Sequence, residues 1–215
     1  MGTDAKHVQA FATSVEEVGR TYGMSLHWGK TQALSVCTSD RIARPDGSLI
    51  EESGSLKYLG ATIYGDGRAD SEISRKIGAA RADFQQLQKL WNHANVSVKD
   101  KLQFFHALIV SRLVYGLSTV WMVTAQRRRL DGFYARSLRR ILRILPAYVS
   151  RVSNATVFAK AEVLPFSEQL IHKQLALLGK VARSPDDSLL RRDTFIPGGM
   201  RPQIGNTMRR VGRPR

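Results

Sequence analysis

The chain has 215 residues, 43% of them apolar, and a net charge of +15, enough apolar content to bury a core in one or two domains. Its single cysteine, Cys37, excludes an intrachain disulfide and a cysteine-rich zinc site and suggests a reducing compartment, nucleus or cytosol. No apolar run reads as a membrane span or as the core of a signal peptide. The charge is unevenly placed: residues 1–107 carry 13 basic and 12 acidic side chains, whereas residues 108–215 carry 20 and 6. So one-sided a balance suggests a polyanionic partner, nucleic acid or an anionic surface. Arginine dominates lysine in the basic half, which suits bidentate phosphate contacts and stacking on bases.

Residues 4–22 read as a helix, with Val8, Phe11, Ala12, Val15, Val18 and Tyr22 at helical spacing, Asp4 as N-cap, and Gly23 as a left-handed stop. The period then changes. Met24, Leu26 and Trp28 alternate with polar residues, Gly29-Lys30-Thr31 interrupts, and residues 33–36 resume, which predicts two short strands about a turn. Pro45-Asp46-Gly47-Ser48 is a turn signal, with further strand character at Leu49-Ile50 and across residues 56–63. From Asp70 the chain reads as helical. Ile73, Ile77, Ala80, Phe84, Leu87 and Trp91 step by three and four, with Asp70 or Ser71 as cap and Glu72 in the first turn.

Ser97 opens a helix over residues 98–117 whose apolar residues from Phe104 onward cover nearly the whole circumference, predicting a buried central helix. A short helix near 154–163 and a last one from Ser167, carrying Leu170, Ile171, Leu175, Leu178 and Val181, follow. Residues 186–215, rich in Pro, Gly and Arg, read as disordered apart from a turn of helix at 189–192.

The most informative stretch is 126–145, which precedes Pro146. Wound as a helix, it gathers Leu130, Phe133, Tyr134, Leu138, Ile141, Leu142 and Leu145 on one side. Arg128, Arg129, Arg136, Arg139, Arg140 and Arg143 gather on the other. Solvated helix faces usually mix acids with bases so that i,i+4 pairs form. Six guanidiniums with no carboxylate among them are expected to meet phosphates.

Several segments, in order, resemble one family. Residues 23–31, Gly-Met-Ser-Leu-His-Trp-Gly-Lys-Thr, are similar to the Gly-Leu-x-Ile-Asn-x-x-Lys-Thr segment of reverse transcriptases from non-LTR (LINE-type) retrotransposons. Lys57-Tyr58-Leu59-Gly60, with Asp66-Gly67 and Glu72-Ile73 beyond, resembles their primer grip and the start of the thumb. Leu113-Val114-Tyr115-Gly116, Trp121, Leu138–Leu142 and Leu164-Pro165-Phe166-Ser167 look like the thumb helices. Residues 209–215, Arg-Arg-Val-Gly-Arg-Pro-Arg, resemble the Arg-Gly-Arg-Pro segment near the end of such reading frames.

The resemblance implies an α+β, mostly α fold: a palm remnant at 1–68 with a small antiparallel β element, a helical thumb-like bundle at 69–185, and a disordered basic tail at 186–215. It implies a fragment of an RNA-directed DNA polymerase (a nucleotidyltransferase) that contacts template–primer, as RNA, DNA or hybrid, and has no membrane role. The family's Asp-Asp pair, which holds Mg²⁺ in the complete enzyme, would sit just before Met1; the expectation is a truncated element, inactive alone and holding no metal itself. Lys30 matches the palm lysine near the incoming triphosphate, against the plainer reading of a hairpin lysine in water. His27 stands where the family has Asn. Tyr58, Leu59 and Gly60 match the primer grip, against a core strand with a glycine bulge.

Arg209, Arg210, Arg213 and Arg215 join the six helix arginines as nucleic-acid contacts. His93, His106 and His172 lack metal-ligand spacing, and Trp28, Trp91 and Trp121 read as core anchors. The palm remnant leaves apolar faces uncovered, which predicts self-association. The alternatives are a non-enzymatic DNA- or chromatin-binding protein whose Gly212-Arg213-Pro214 tail enters AT-rich minor grooves, and a relic with no function.

Overall fold

The computed structural model describes residues 5–36, 40–44, 46–93, 95–120 and 122–201. Asp4, Cys37, Pro45, Trp121 and the arginines of 209–215 lie outside the described residues. The fold is α+β and mostly helical, as the sequence leads one to expect.

Helix α1 spans Ala5–Thr21 and stops where expected, with Gly23 at φ 71°. The two strands expected around Gly29 do not form. The Lys30 and Thr31 amides both bond the His27 carbonyl, at 2.8 and 3.1 Å, which winds Trp28–Lys30 into a 3₁₀ turn. Only one parallel bridge, Ala33 with Glu52, follows it. Of the turn expected at 45–48, the described residues 46–48 do turn, with the Asp46 carboxylate accepting from the Ser48 amide and hydroxyl, and Ala43 and Leu49 form an antiparallel bridge.

Residues 56–63 are not one bulged strand but a hairpin. Strand β1 (Ser55–Tyr58) pairs antiparallel with β2 (Ala61–Tyr64), with Tyr58 opposite Ala61. The chain reverses through Leu59 at φ 46° and Gly60 at φ 81°; both central residues at positive φ make the turn whose twist matches the strands.

Helix α2 (Asp70–Gln86) buries Ile73, Ile77, Ala80 and Phe84. It starts without a side-chain cap. Neither Asp70 nor Ser71 caps it, whereas Glu72 does sit in the first turn, buried and paired with Arg75 at 2.7 Å and Lys76 at 3.7 Å. Burial pushes the Glu72 carboxyl up, but the hydrogen bond from Arg75 and the charges of Arg75 and Lys76 outweigh it and hold the group below the usual carboxylate range. The helix breaks at Leu87, and α3 (Gln88–Asn92) carries Trp91, whose indole donates to the Phe84 carbonyl.

Ser97 caps α4 (Val98–Phe105), as its position predicts, by accepting the Asp100 amide. A wide turn over His106–Val110, in which the Ser111 amide reaches the His106 carbonyl, leads into α5 (Ser111–Val114). Residues four apart drift around a regular helix, and the widened turn reduces that drift. Phe105, Ile109 and Leu113 thus stay buried on one face. The helix is not buried all round, however: Phe104 and Leu108 are exposed, since only one side meets its neighbours.

Helix α6 (Thr124–Ile141) crosses α2, α4, α8 and α9. The remaining elements are α7 (Ala147–Ser150), α8 (Asn154–Lys160), α9 (Phe166–Ala182) and α10 (Leu189–Thr194). Asp131 of α6 anchors α9 by accepting the Ser167 amide and hydroxyl. On α9, Leu170 and Val181 are buried, while Leu175 and Leu178 face solvent. The turn of helix expected at 189–192 forms as α10, and Phe195 behind it is buried.

The core is contributed by residues 73–170. At its centre Tyr134 packs between Phe105, Phe158 and Phe166, with ring centroids 5.6–5.9 Å away. Its hydroxyl meets His106 Nε2 at 3.0 Å and accepts from Gln169. Burial pushes the Tyr134 hydroxyl up to about 12 and pulls the His106 imidazole below its ordinary value. His106 is therefore a structural residue. No described helix is long and apolar enough to cross a membrane.

Candidate functional site

Helix α6 sets the site because its two faces meet different surroundings. Leu130, Phe133, Tyr134, Leu138 and Ile141 are buried, as the periodicity predicts. The helix ends four residues short of Leu145. Arg143 takes the left-handed conformation (φ 55°), and the Ile144 amide returns to the Arg139 carbonyl at 2.8 Å, a closure that satisfies an orphan carbonyl of the last turn. Leu145 consequently leaves the apolar stripe and is exposed, and Leu142 is only half-buried.

Beyond this end the chain folds back past α6 and encloses a groove of about 1100 Å³. Arg128, Arg129, Arg136, Arg139 and Arg140 line it from α6, Arg143 from the turn, and Arg81 from α2. No carboxylate is among the described lining residues. The side chains of Arg81, Arg128, Arg140 and Arg143 make no hydrogen bond or ion pair with any described residue. Arg129 donates to the Ser74 hydroxyl at 2.8 Å and Arg136 to the Gly132 carbonyl at 3.0 Å. Neither contact neutralises charge. Seven like charges around one concavity focus a positive field into it.

Arg139 departs from the expectation. It is 5% exposed, and its guanidinium donates to the carbonyls of Leu145 (3.2 Å) and Val152 (2.7 Å) and to Asn154 Oδ1 (3.0 Å). It lies in the middle of the arginine arc, and the returning segment 145–154 closes over it. Arg139 holds that segment in place, while its neighbours Arg136 and Arg140 stay exposed.

The second set of expected site residues is the hairpin turn. Tyr58 and Leu59 are exposed. The Leu59 carbonyl accepts from the Tyr115 hydroxyl at 2.8 Å and the Gly60 carbonyl from Arg75 at 3.2 Å. A Cβ on Gly60 would stand 3.3 Å from the Tyr115 ring. Two motifs separated by more than fifty residues, Tyr58-Leu59-Gly60 and Tyr115-Gly116, are thus one structural unit. Lys76, buried below it, donates to the Tyr115 carbonyl.

Lys30 is exposed on the 3₁₀ turn. Trp91 is a core anchor, and Trp28 is only half-buried. Among the described residues no group of three or more His, Cys, Asp or Glu side chains could hold a metal ion.

Sequence reasoning missed Arg81, Tyr148 and Asn154 as groove residues. Helical periodicity places Arg81 on α2 but cannot say that its side of α2 turns toward α6. Tyr148 and Asn154 arrive only through the chain reversal at Arg143, a left-handed position that no glycine marks in the sequence.

The chain matches no family model, no curated protein and no solved structure.

Proposed function

We propose that this chain binds the phosphate backbone of nucleic acid through the arginine groove, as the thumb of a non-LTR retrotransposon reverse transcriptase contacts template–primer. The observation that carries the reading is the groove itself: seven guanidiniums, four of them without any partner among the described residues, converge on one concavity without a lining carboxylate. A face kept only for solubility has no need to gather its charge in a groove. The family assignment rests on the sequence resemblance alone, and the pinned Tyr58-Leu59-Gly60 turn is compatible with a primer-grip role.

Binding to phosphates releases counterions, so affinity should fall steeply with salt. About six accessible arginines imply a slope of log K against log salt near −5. Replacing Arg136 and Arg140 by Glu should weaken binding to duplex DNA and to RNA–DNA hybrid alike and flatten that slope by about 2. Arg139 is left untouched, because its loss would disturb the fold. An unchanged slope in the double variant would refute the proposal.

A further inference from the structure

Arginine is not the groove's only lining. Past the end of α6 the chain runs through Ile144, Leu145, Pro146, Ala147 and Tyr148, and this apolar run lines the same concavity. Leu145 is 61% and Tyr148 80% exposed. The run is held firmly: Arg139 donates to the Leu145 carbonyl, as does the Ser150 hydroxyl at 3.0 Å, and the Ser150 amide bonds the Pro146 carbonyl at 2.9 Å. The Tyr148 hydroxyl bonds no described residue. An exposed aromatic ring on a hydrogen-bonded backbone segment therefore shares a groove with guanidiniums that have no described partner.

Gly132, midway along the arginine ladder, adds an opening. It lines the groove, and a Cβ there would meet nothing within 4 Å. A mid-helix glycine costs stability relative to alanine, and no neighbour requires the space.

A duplex offers phosphates to the arginines but keeps its base faces inside the stack, so Tyr148 would gain little from it. An unpaired strand offers both partners, a phosphate at every nucleotide and a base face free to stack on an aromatic ring. We infer that the groove seats a single-stranded stretch of nucleic acid, with phosphates on Arg128, Arg136, Arg140 and Arg143 and one unstacked base against Tyr148. This rests on the phosphate-binding reading above and narrows its ligand.

The test is fluorescence anisotropy of an oligothymidylate and of a duplex, at one salt concentration, with the full chain. Tyr148 is too exposed for its loss to unfold the protein. Tyr148→Ala should weaken oligothymidylate binding about tenfold and leave the duplex unchanged, while Tyr148→Phe, which keeps the stacking face, retains full affinity. If Tyr148→Ala leaves the oligothymidylate unaffected, or weakens both ligands equally, the single-strand inference is overturned. The phosphate-binding reading would survive that result as long as the Arg136 and Arg140 reversal still weakens binding. If that reversal has no effect, the phosphate reading falls first. A variant that loses binding to phosphatidylserine vesicles but not to the oligothymidylate would overturn the inference in favour of a lipid surface.

Discussion

At the scale of single residues, Arg139 and Arg136 show how little residue type alone says about role. Both sit within one arc of α6, three positions apart. Arg136 spends its charge on solvent and the groove, whereas Arg139 satisfies two backbone carbonyls and an amide oxygen. A hydrogen bond from a charged donor contributes on the order of 1.5–3 kcal/mol, and the Leu145 carbonyl keeps its bond from Ser150 when Arg139 is lost. Arg139→Ala should therefore destabilise the protein by about 3 kcal/mol, against about 0.5 kcal/mol or less for Arg136→Ala. Denaturant unfolding of the two variants distinguishes them; equal midpoints would show that the returning segment needs no anchor. The same cation near the C-terminal end of α6 also faces the negative pole of the helix dipole, which helps explain how a guanidinium is buried there without a carboxylate.

Among the elements, the β1–β2 hairpin carries the clearest local conflict. Its two-residue turn demands left-handed backbone twice, and Leu59 supplies one of the two positions with a side chain that is 74% exposed. A left-handed leucine costs roughly 1–2 kcal/mol, and asparagine tolerates that region far better. Leu59→Asn should raise stability by about 1 kcal/mol, a shift of roughly 2–4 °C in the melting temperature of a chain this size. A scanning-calorimetry trace with no upward shift would mean that the Tyr115 and Arg75 contacts already offset the strain.

Across the whole molecule, cover is unequal. The helical core at 73–170 is closed, yet α1 exposes Phe11 (70%) and Val18 (59%), and Tyr22 just past its end is 74% exposed. The only buried residue of that helix is Glu16, paired with Arg20. An apolar stripe without cover favours association. Sedimentation velocity should show concentration-dependent self-association that the double substitution Phe11→Glu, Val18→Lys reduces. Unchanged sedimentation of that variant would place the sticky surface elsewhere, for example on the exposed leucines of α9.

Periodicity in the sequence was enough to locate α1, α2, the Ser97 cap, α6 and α9 and to name the buried stripe Leu130–Ile141, because those patterns are local and repeat with the helix itself. The one-sided charge and the arginine arc were also legible, since both are counts along the chain. Other features were not. The strands expected near Gly29 lost to a turn, where the His27 carbonyl offered two amides a nearer partner than a sheet could. The arc became a groove only because the chain reverses after Arg143 and brings Tyr148 and Asn154 beside it, and because α2 presents Arg81 to the same space. Burial of Arg139 and the joining of the Tyr58-Leu59-Gly60 turn to Tyr115 follow from contacts between residues distant in sequence. Local propensity determined which segments wind and which faces are apolar; tertiary packing alone decided which arginines remain free to meet a ligand.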